Sequence, residues 1–342
     1  MTILGCGNTG AKLATMFDED ALLLSTAKED TNNFTGKNIV TFSQNGATKR
    51  FTTGLKIWNE NYDKLKETLS DIRDTKVIMF AALGGGSGSS SLCPISEILL
   101  EQGNKVLIVG ILPYKKEINP PLSNSVQAIN NLMPIIADVS VVIFDNNKLL
   151  KDYENDWNRV NSYIVKRVDY MINLLDKYNT DGYSPLTLDK SELESVVFGG
   201  GFIDVSEDFL EERMPRFTYG RLDKTTKNCL TVMFVDNKVT SEKKLHEYIY
   251  TLTVVLQRVA GRAPNSRMIP GILRAAINYT NAEDDKVKDR AYLCIASGLN
   301  IEKYFISMEK LKNVAVGKAE IYSEEYKGKS VLKKKERNIL DI

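Results

Sequence analysis

Gly84-Gly85-Gly86-Ser87-Gly88-Ser89-Ser90 puts four glycines and three hydroxyls in seven residues, between the apolar run Val77 to Ala81 and the apolar stretch Leu92 to Leu100. Backbone without Cβ atoms lets a ligand approach its N–H groups, and a helix opening just after a strand adds free amides and a positive dipole end. That combination suits an anion, phosphate above all. A tight turn packed with small residues accounts for one or two glycines but not for the whole run. No lysine stands in GxxxxGK[ST] spacing, so this is a phosphate cradle of another kind. A second loop, Gly5-Cys6-Gly7-Asn8-Thr9-Gly10, matches GxGxxG after a very short strand. A dinucleotide site would want a carboxylate at the tip of the next strand. That strand ends Leu22-Leu23-Leu24-Ser25-Thr26, and Glu29 and Asp30 come several residues late. Two glycine loops suit a nucleoside di- or triphosphate better.

Trp157 and Asn161 stand four apart at the start of a helical pattern and so share one face. An indole can stack on a purine while a carboxamide accepts from the imino and amino donors of guanine; adenine offers it fewer donors. Taken alone, Trp157 reads as core and Asn161 as a solvated helix position; below two phosphate loops the pair reads as a base platform. Asp189 and Glu192, three apart, could polarise a water, and the same spacing is a helix N-cap box that needs no catalysis. Asp204 and Glu207 repeat the spacing after Gly199-Gly200-Gly201 but fall on a strand pattern, which ranks them second.

The elements that must position these residues alternate. Strands are expected at Thr2 to Leu4, Ala21 to Leu24, Val77 to Ala81, Lys105 to Leu112 and Val139 to Phe144; helices at Gly10 to Phe17, Asn59 to Ile72, Ser91 to Gln102 and Asn124 to Ile136. Such alternation predicts an α/β fold whose parallel sheet is covered on both faces and binds ligands at the carboxyl ends of its strands. A long helix is expected over Lys151 to Tyr178, ended by Asn179 to Pro185. Beyond it come a short helix at Asp189 to Val197, strands near Phe202 to Val205, Cys229 to Val235, Met268 to Ala276 and Ala291 to Ser297, and a helix at Ser241 to Val259, a smaller α+β region. Lys310 to Ile342 reads as an extended or helical tail outside the core.

Composition narrows the function. With 342 residues, two domains are expected, and 43% hydrophobic with 26% charged residues is ordinary for a globular chain. A net charge of +1 argues against a whole-surface nucleic-acid binder. Four scattered cysteines and the single His246 leave no zinc pattern and no His-based triad. Reduced thiols, no apolar run near ~20 residues and no charged-then-apolar start predict a cytoplasmic protein without a membrane partner.

Gly84 to Ser90 resembles the GGGTGS/TG signature of the tubulin/FtsZ family of GTPases, with Ser87 for the usual threonine and Ser90 for the last glycine. Gly5 to Gly10 is similar to that family's first phosphate loop, Thr53-Gly54 falls where a further loop nears the terminal phosphate, and Asp145-Asn146-Asn147-Lys148-Leu149-Leu150 resembles its NDKLL segment. The resemblance implies a Rossmann-like GTPase domain over 1–152, a central helix and catalytic loop over 153–198, a second α+β domain over 199–315 and a C-terminal tail over 316–342. It implies phosphate contacts from Gly5, Gly7, Asn8, Gly10, Thr53, Gly54, Gly84, Gly85, Gly86, Ser87, Gly88 and Ser89. Base and ribose contacts would come from Asn146, Trp157, Asn161 and Glu117, with GTP or GDP and Mg²⁺ bound and no metal site of the protein's own. Asp189 and Glu192 would be the catalytic carboxylates, entering the nucleotide site of the next subunit; Thr187 stands where the family motif N-x-D-x-x-D/E has asparagine. A site split this way couples hydrolysis to head-to-tail filament growth.

Within the family, the compact length, the GGGSGS variant, the extra residues between Trp157 and Asp189 and the basic tail are most similar to the TubZ group of plasmid or phage partition GTPases. The tail carries Lys327, Lys329, Lys333, Lys334, Lys335 and Arg337 against Glu336. That likeness implies self-assembly and a small DNA-binding adaptor protein, clustered on centromere-like DNA, as the partner of the tail. A solvated helix face or a disordered end reads the tail equally well. An FtsZ-like division filament and a PhuZ-like phage-centring filament are the alternatives inside the family. Outside it stand a Rossmann-type nucleotide-dependent metabolic enzyme and a filament that binds GTP without hydrolysing it.

Overall fold

The computed structural model describes residues 1–34, 37–114, 117, 121–177, 179–180, 186–207, 215–236, 241–275 and 290–302. The tail over 316–342 and the expected turn at 181–185 lie outside the described residues, as does the Glu207 side chain. Met1–Val168 form one compact unit and Asp169–Ile301 another, so that the contact boundary runs through a helix.

The first unit contains β1 (Thr2–Cys6), α1 (Gly7–Phe17), β2 (Leu22–Ser25), β3 (Ile39–Thr41), α2 (Phe51–Glu60), α3 (Tyr62–Thr68), β4 (Lys76–Ala82), α4 (Gly86–Glu101), β5 (Lys105–Leu112), α5 (Pro121–Leu132), β6 (Val139–Asp145), α6 (Asn146–Asp152) and the start of α7 (Trp157–Ile172). Its strands run parallel in the order β3-β2-β1-β4-β5-β6. Val77 through Ala81 and Val106 through Val109 are buried without alternation, as strands covered on both faces must be. β1, β4, β5 and β6 each run into a helix or loop at the same sheet end, which gathers the glycine loops there.

Three of the helix boundaries that differ from the sequence expectation bear on the site. α4 starts at Gly86 rather than Ser91, and within it the serine hydroxyls turn back on the preceding turn: Ser90 Oγ donates to the Gly86 carbonyl at 2.6 Å and Ser91 Oγ to that of Gly88 at 2.9 Å. The expected helix over Asn59 to Ile72 is two helices, α2 and α3, of which α2 begins eight residues earlier; Thr53-Gly54, expected in a loop, lies on α2, where Gly54 lets the helix lie on α4. The long helix restarts at Trp157, because Glu154 and Asn155 take φ of 54° and 65° and Asp156 caps the new turn, accepting from Asn158 N at 2.9 Å.

The second unit contains α8 (Leu174–Lys177), β7 (Asn179–Thr180), α9 (Lys190–Val197), β8 (Gly201–Glu207), β9 (Asn228–Asp236), α10 (Glu242–Arg262), β10 (Arg267–Ala275) and β11 (Arg290–Ser297). Its strand order is β8-β11-β9-β10-β7, with β9 and β10 parallel and β11 antiparallel to both neighbours. This is the mixed sheet expected of an α+β region. Cys6, Cys93, Cys229 and Cys294 are free and buried. Burial pushes the Cys6 thiol up to about 12 and Cys229 up to about 11, and raises Cys93 and Cys294 as well. Among the described residues no helix is long and apolar enough to cross a membrane, and no cluster of metal-ligating side chains is found.

Candidate functional site

The first turn of a helix leaves backbone N–H groups without partners, and most helices satisfy them with a capping side chain. α4 does not. Its N-cap is Gly85, with φ −81° and ψ 164°, no side chain caps it, and the first turn holds no acid. α1 is the same, with Cys6 as an N-cap whose side chain bonds none of the helix's own amides. α2, α3 and α10 lack a side-chain cap as well; what α4 and α1 share is that their N-termini belong to the glycine loops.

The glycines themselves divide by role. A Cβ on Gly5 would meet Ala11 and Ala14, one on Gly10 would collide with the Phe80 carbonyl, and one on Gly54 would stand 2.5 Å from the Gly86 carbonyl. Gly84 packs on Pro113, Gly86 on Ala47 and Arg50, and Gly88 between the carbonyls of Ala82 and Cys6 at 2.9 Å each. These allow segments of the chain to touch one another. Gly7 takes φ +68°, a conformation L side chains rarely adopt, with its would-be Cβ 3.1 Å from Gly88 N, so the two glycine loops are in contact. Gly85 is the exception: a Cβ there would meet only Ala82 O, at 4.0 Å. The position at the head of α4 therefore faces open space, where an anion can reach the free amides. Asn8 is exposed on the first turn of α1, and Ser89 Oγ donates to the Gly85 carbonyl.

Residues distant in sequence hold this turn in place. Ser87 Oγ donates to Asp30 Oδ2 at 2.9 Å and lies 2.5 Å from Thr26 Oγ1; Ser25 Oγ donates to the same Asp30 oxygen at 2.7 Å. Asp30, too late in the chain to serve a dinucleotide ribose, thus brings a carboxylate to the glycine turn. Asn124 on α5 donates to the Gly84 carbonyl at 2.8 Å and the Lys49 carbonyl at 2.9 Å while accepting from Phe51 N at 3.0 Å. Trp58 Nε1 donates to Ser90 Oγ at 3.1 Å, fixing α2 on α4, so that Thr53 sits on the first turn of α2, half-buried. Sequence reasoning missed Asn124 and Trp58, since partners 32 to 75 residues away leave no local spacing to read.

The residues expected to meet a base are also positioned by local capping. Asp145 closes β6 and caps α6, accepting from Asn147 N at 2.8 Å, which leaves Asn146 as the first helical residue. Trp157, first residue of α7, is 45% exposed although it is the bulkiest apolar side chain on that helix. Lys12 Nζ on α1 donates to Asn158 Oδ1 at 3.4 Å, tying the start of α7 to the helix of the first glycine loop. Asn146 and Asn161 are each only 8% exposed, and among the described residues no group pairs with either carboxamide. Neither carboxamide is sealed from solvent, so both are open to a ligand that presents donors and acceptors. Glu117 lies apart from this pair: it is exposed, and its carboxylate accepts from Tyr114 N at 2.9 Å.

In the second unit Asp189 and Glu192 form a full capping box at the head of α9. Asp189 Oδ1 accepts from Glu192 N at 2.8 Å, and Glu192 Oε2 accepts from Asp189 N at 3.2 Å. The Ser191 hydroxyl, donating at 2.7 Å, and the Glu192 amide hold the Asp189 carboxyl below its ordinary value. Arg267 Nη2 stands 3.8 Å from Glu192 Oε1. Asp189 and Thr187 are exposed, Glu192 half-buried. Asp204 is 8% exposed and its two oxygens accept from Val205 N at 2.8 Å and Tyr219 N at 2.9 Å, so this carboxylate braces β8 against the following loop.

Residues 8–154 match the model of the Tubulin/FtsZ family GTPase domain. No curated protein matches the chain in sequence. Similar solved structures include a GTPγS-form protofilament of Bacillus thuringiensis serovar israelensis TubZ, with a TM-score of 0.71 and 15% identity over 92% of this chain and 91% of that one. CetZ2 from Haloferax volcanii, a GTPγS-bound protofilament, gives 0.66 and 18% over 93% and 99%. The TubZ of Clostridium botulinum phage c-st gives 0.61 and 14% over 92% and 98%.

Proposed function

With residues 8–154 forming a Tubulin/FtsZ-family GTPase domain, we propose that this chain binds GTP, hydrolyses it and assembles head to tail into filaments. The observation that carries the reading is the head of α4, uncapped and open only at Gly85. The phosphates lie on the free amides of α4 and α1, with Gly5, Gly7, Gly10, Gly54, Gly84, Gly86 and Gly88 shaping the loops and Asn8, Thr53, Ser87 and Ser89 lining them. Guanine stacks on Trp157 and satisfies Asn146 and Asn161; Glu117 serves the ribose. Asp30 and Ser87 are the residues that would hold Mg²⁺, which when bound neutralises phosphate charge.

Hydrolysis needs a water aligned on the terminal phosphate. Asp189, kept ionised by Ser191, orients that water and Glu192 accepts its proton, both entering the site of the neighbouring subunit. Capping and catalysis are compatible, because each carboxylate has about four lone-pair sites and the box uses few of them. The cellular role is partition of plasmid or phage DNA in the cytoplasm, with residues 316–342 engaging an adaptor on centromere-like DNA; the likeness to two TubZ structures supports it.

Right-angle light scattering of the full chain with GTP and Mg²⁺, followed by phosphate release, tests the reading. Scattering that rises with GTP and decays as phosphate appears is expected; nucleotide binding with no assembly would overturn it. The capping box favours one second reading, a filament that binds GTP without turnover, in which Asp189 and Glu192 only start a helix. Stable scattering without phosphate release is its signature.

A further inference from the structure

A glutamate carboxylate ends a long side chain with much rotamer freedom, and a single hydrogen bond leaves it able to swivel about that contact. On α9 the capping box supplies one such bond, from Asp189 N to Glu192 Oε2 at 3.2 Å. The other oxygen, Oε1, faces Arg267 Nη2 at 3.8 Å, a group from a different element. Arg267 opens β10, and its own N–H donates to the Lys227 carbonyl at 2.9 Å. Residues at the start of β9 grip the far end of the same helix. Lys227 Nζ donates to the Gly199 carbonyl at 3.2 Å, and Asn228 Nδ2 donates to the Ser195 carbonyl at 3.1 Å and to Ser297 Oγ at 3.2 Å. The Arg267 backbone is thereby set on the same frame that holds α9, and its guanidinium meets the Glu192 carboxylate from that frame.

We propose, resting on the reading of Glu192 as the proton acceptor, that Arg267 is a positioning residue for hydrolysis, holding the Glu192 carboxylate at a second point so that it meets the attacking water in one orientation. Stability does not account for the pair. Arg267 is 58% exposed, and ion pairs this open to water add little to a fold. A general base gains far more from being held, since a displacement of about 1 Å at a reacting group can cost on the order of a hundredfold in rate. Arg267 also helps, after the Ser191 hydroxyl and the neighbouring amides, to keep the Asp189 carboxyl below its ordinary value. One cation therefore serves both carboxylates of the box. At 3.8 Å its contact with Glu192 is one of charge rather than a hydrogen bond, so a lysine should do much of the same work.

Phosphate release by the full chain with GTP and Mg²⁺, normalised to sedimented polymer, tests this in Arg267→Gln and Arg267→Lys. Arg267→Gln should slow turnover per polymerised subunit about three- to thirtyfold, less than loss of the carboxylate itself, with GTP affinity unchanged. Arg267→Lys should recover most of that rate. In a Glu192→Gln background, where no carboxylate is left to orient, Arg267→Gln should slow the residual turnover no further, whereas a merely structural role would slow both backgrounds alike. Normal turnover in Arg267→Gln, a further loss in the double variant, or an Arg267→Gln chain that binds GTP without sedimenting would overturn the role of Arg267. Normal turnover in Glu192→Gln would instead overturn the reading of Glu192 as the proton acceptor.

Discussion

α4 and α9 are both helices entered from a loop rich in small or polar residues, and they treat their first amides in opposite ways. α9 closes its N-terminus twice, with Asp189 and Glu192 each bonded to the other's backbone. α4 leaves its N-terminus open behind a glycine. A cap is worth about 1 kcal/mol to a helix, and α4 forgoes it as α2, α3 and α10 do; what sets α4 apart is the open space at Gly85, where an anion can reach the first amides. The carboxylates of α9 already have structural work, and any catalysis there is added to it.

The strongest way to break the contrast is to remove the carboxylate that would do both jobs. Glu192→Ala should slow GTP hydrolysis by ~10²–10⁴-fold with binding unchanged, read as phosphate release alongside nucleotide affinity. Mixing it with a variant that binds no nucleotide should restore part of the turnover, since each supplies the half-site the other lacks. If Glu192→Ala hydrolyses normally, α9 is a capped helix and nothing more.

Next in size is a pair of substitutions one residue apart. Gly85→Val should weaken GTP by about 10²-fold or more, as two charge-assisted bonds of about 1.5–3 kcal/mol are lost, while the melting temperature holds. Gly86→Val instead presses on Ala47, 2.6 Å from its would-be Cβ, and on Arg50, and should lower stability by about 1–3 kcal/mol. If both variants melt early, Gly85 is a packing glycine like its neighbours.

Asn161→Ala should cost GTP about tenfold to a hundredfold and narrow its advantage over ATP, measured by competition. An unchanged GTP-to-ATP ratio would return Asn161 to the helix surface. The smallest effect concerns α9 alone. Because the folded Asp189 carboxyl lies below its ordinary 3.8, its contribution to stability is complete above that value and lost as pH falls through the lowered one. Thermal melts of wild type and Asp189→Ala should differ at neutral pH and converge in acid; a constant difference would mean that the cap acts through its shape.

What was legible follows the range of each interaction. The glycine turn, the D-x-x-E box and the alternation of strands and helices are local patterns, and the parallel and mixed sheets stand where they point. Three things were not. Thr53-Gly54 reads as a loop because the partner of Gly54, Gly86 on α4, is invisible along the chain. Asp30 looked misplaced until a short 3-10 turn at Glu29–Thr31 set its carboxylate beside Ser87. The restart of α7 was signalled by Asp156 before Trp157, an N-cap beside an apolar residue, but the apolar periodicity continued across the break and concealed it. In each case the decisive contact joins segments that only the tertiary structure brings together.

Cys6 ends β1 and caps α1 within the first glycine loop, its thiol bonded to Ser91 and pushed up to about 12 by burial. A folded chain therefore offers no thiolate at this position near neutral pH, and an oxidant or alkylating reagent meets it only in molecules whose phosphate floor has locally opened. Any ligand that binds the closed floor lowers the open population by the factor one plus its concentration over Kd. On the proposed reading of these loops, protection of one buried sulfur and occupancy by nucleotide are linked equilibria.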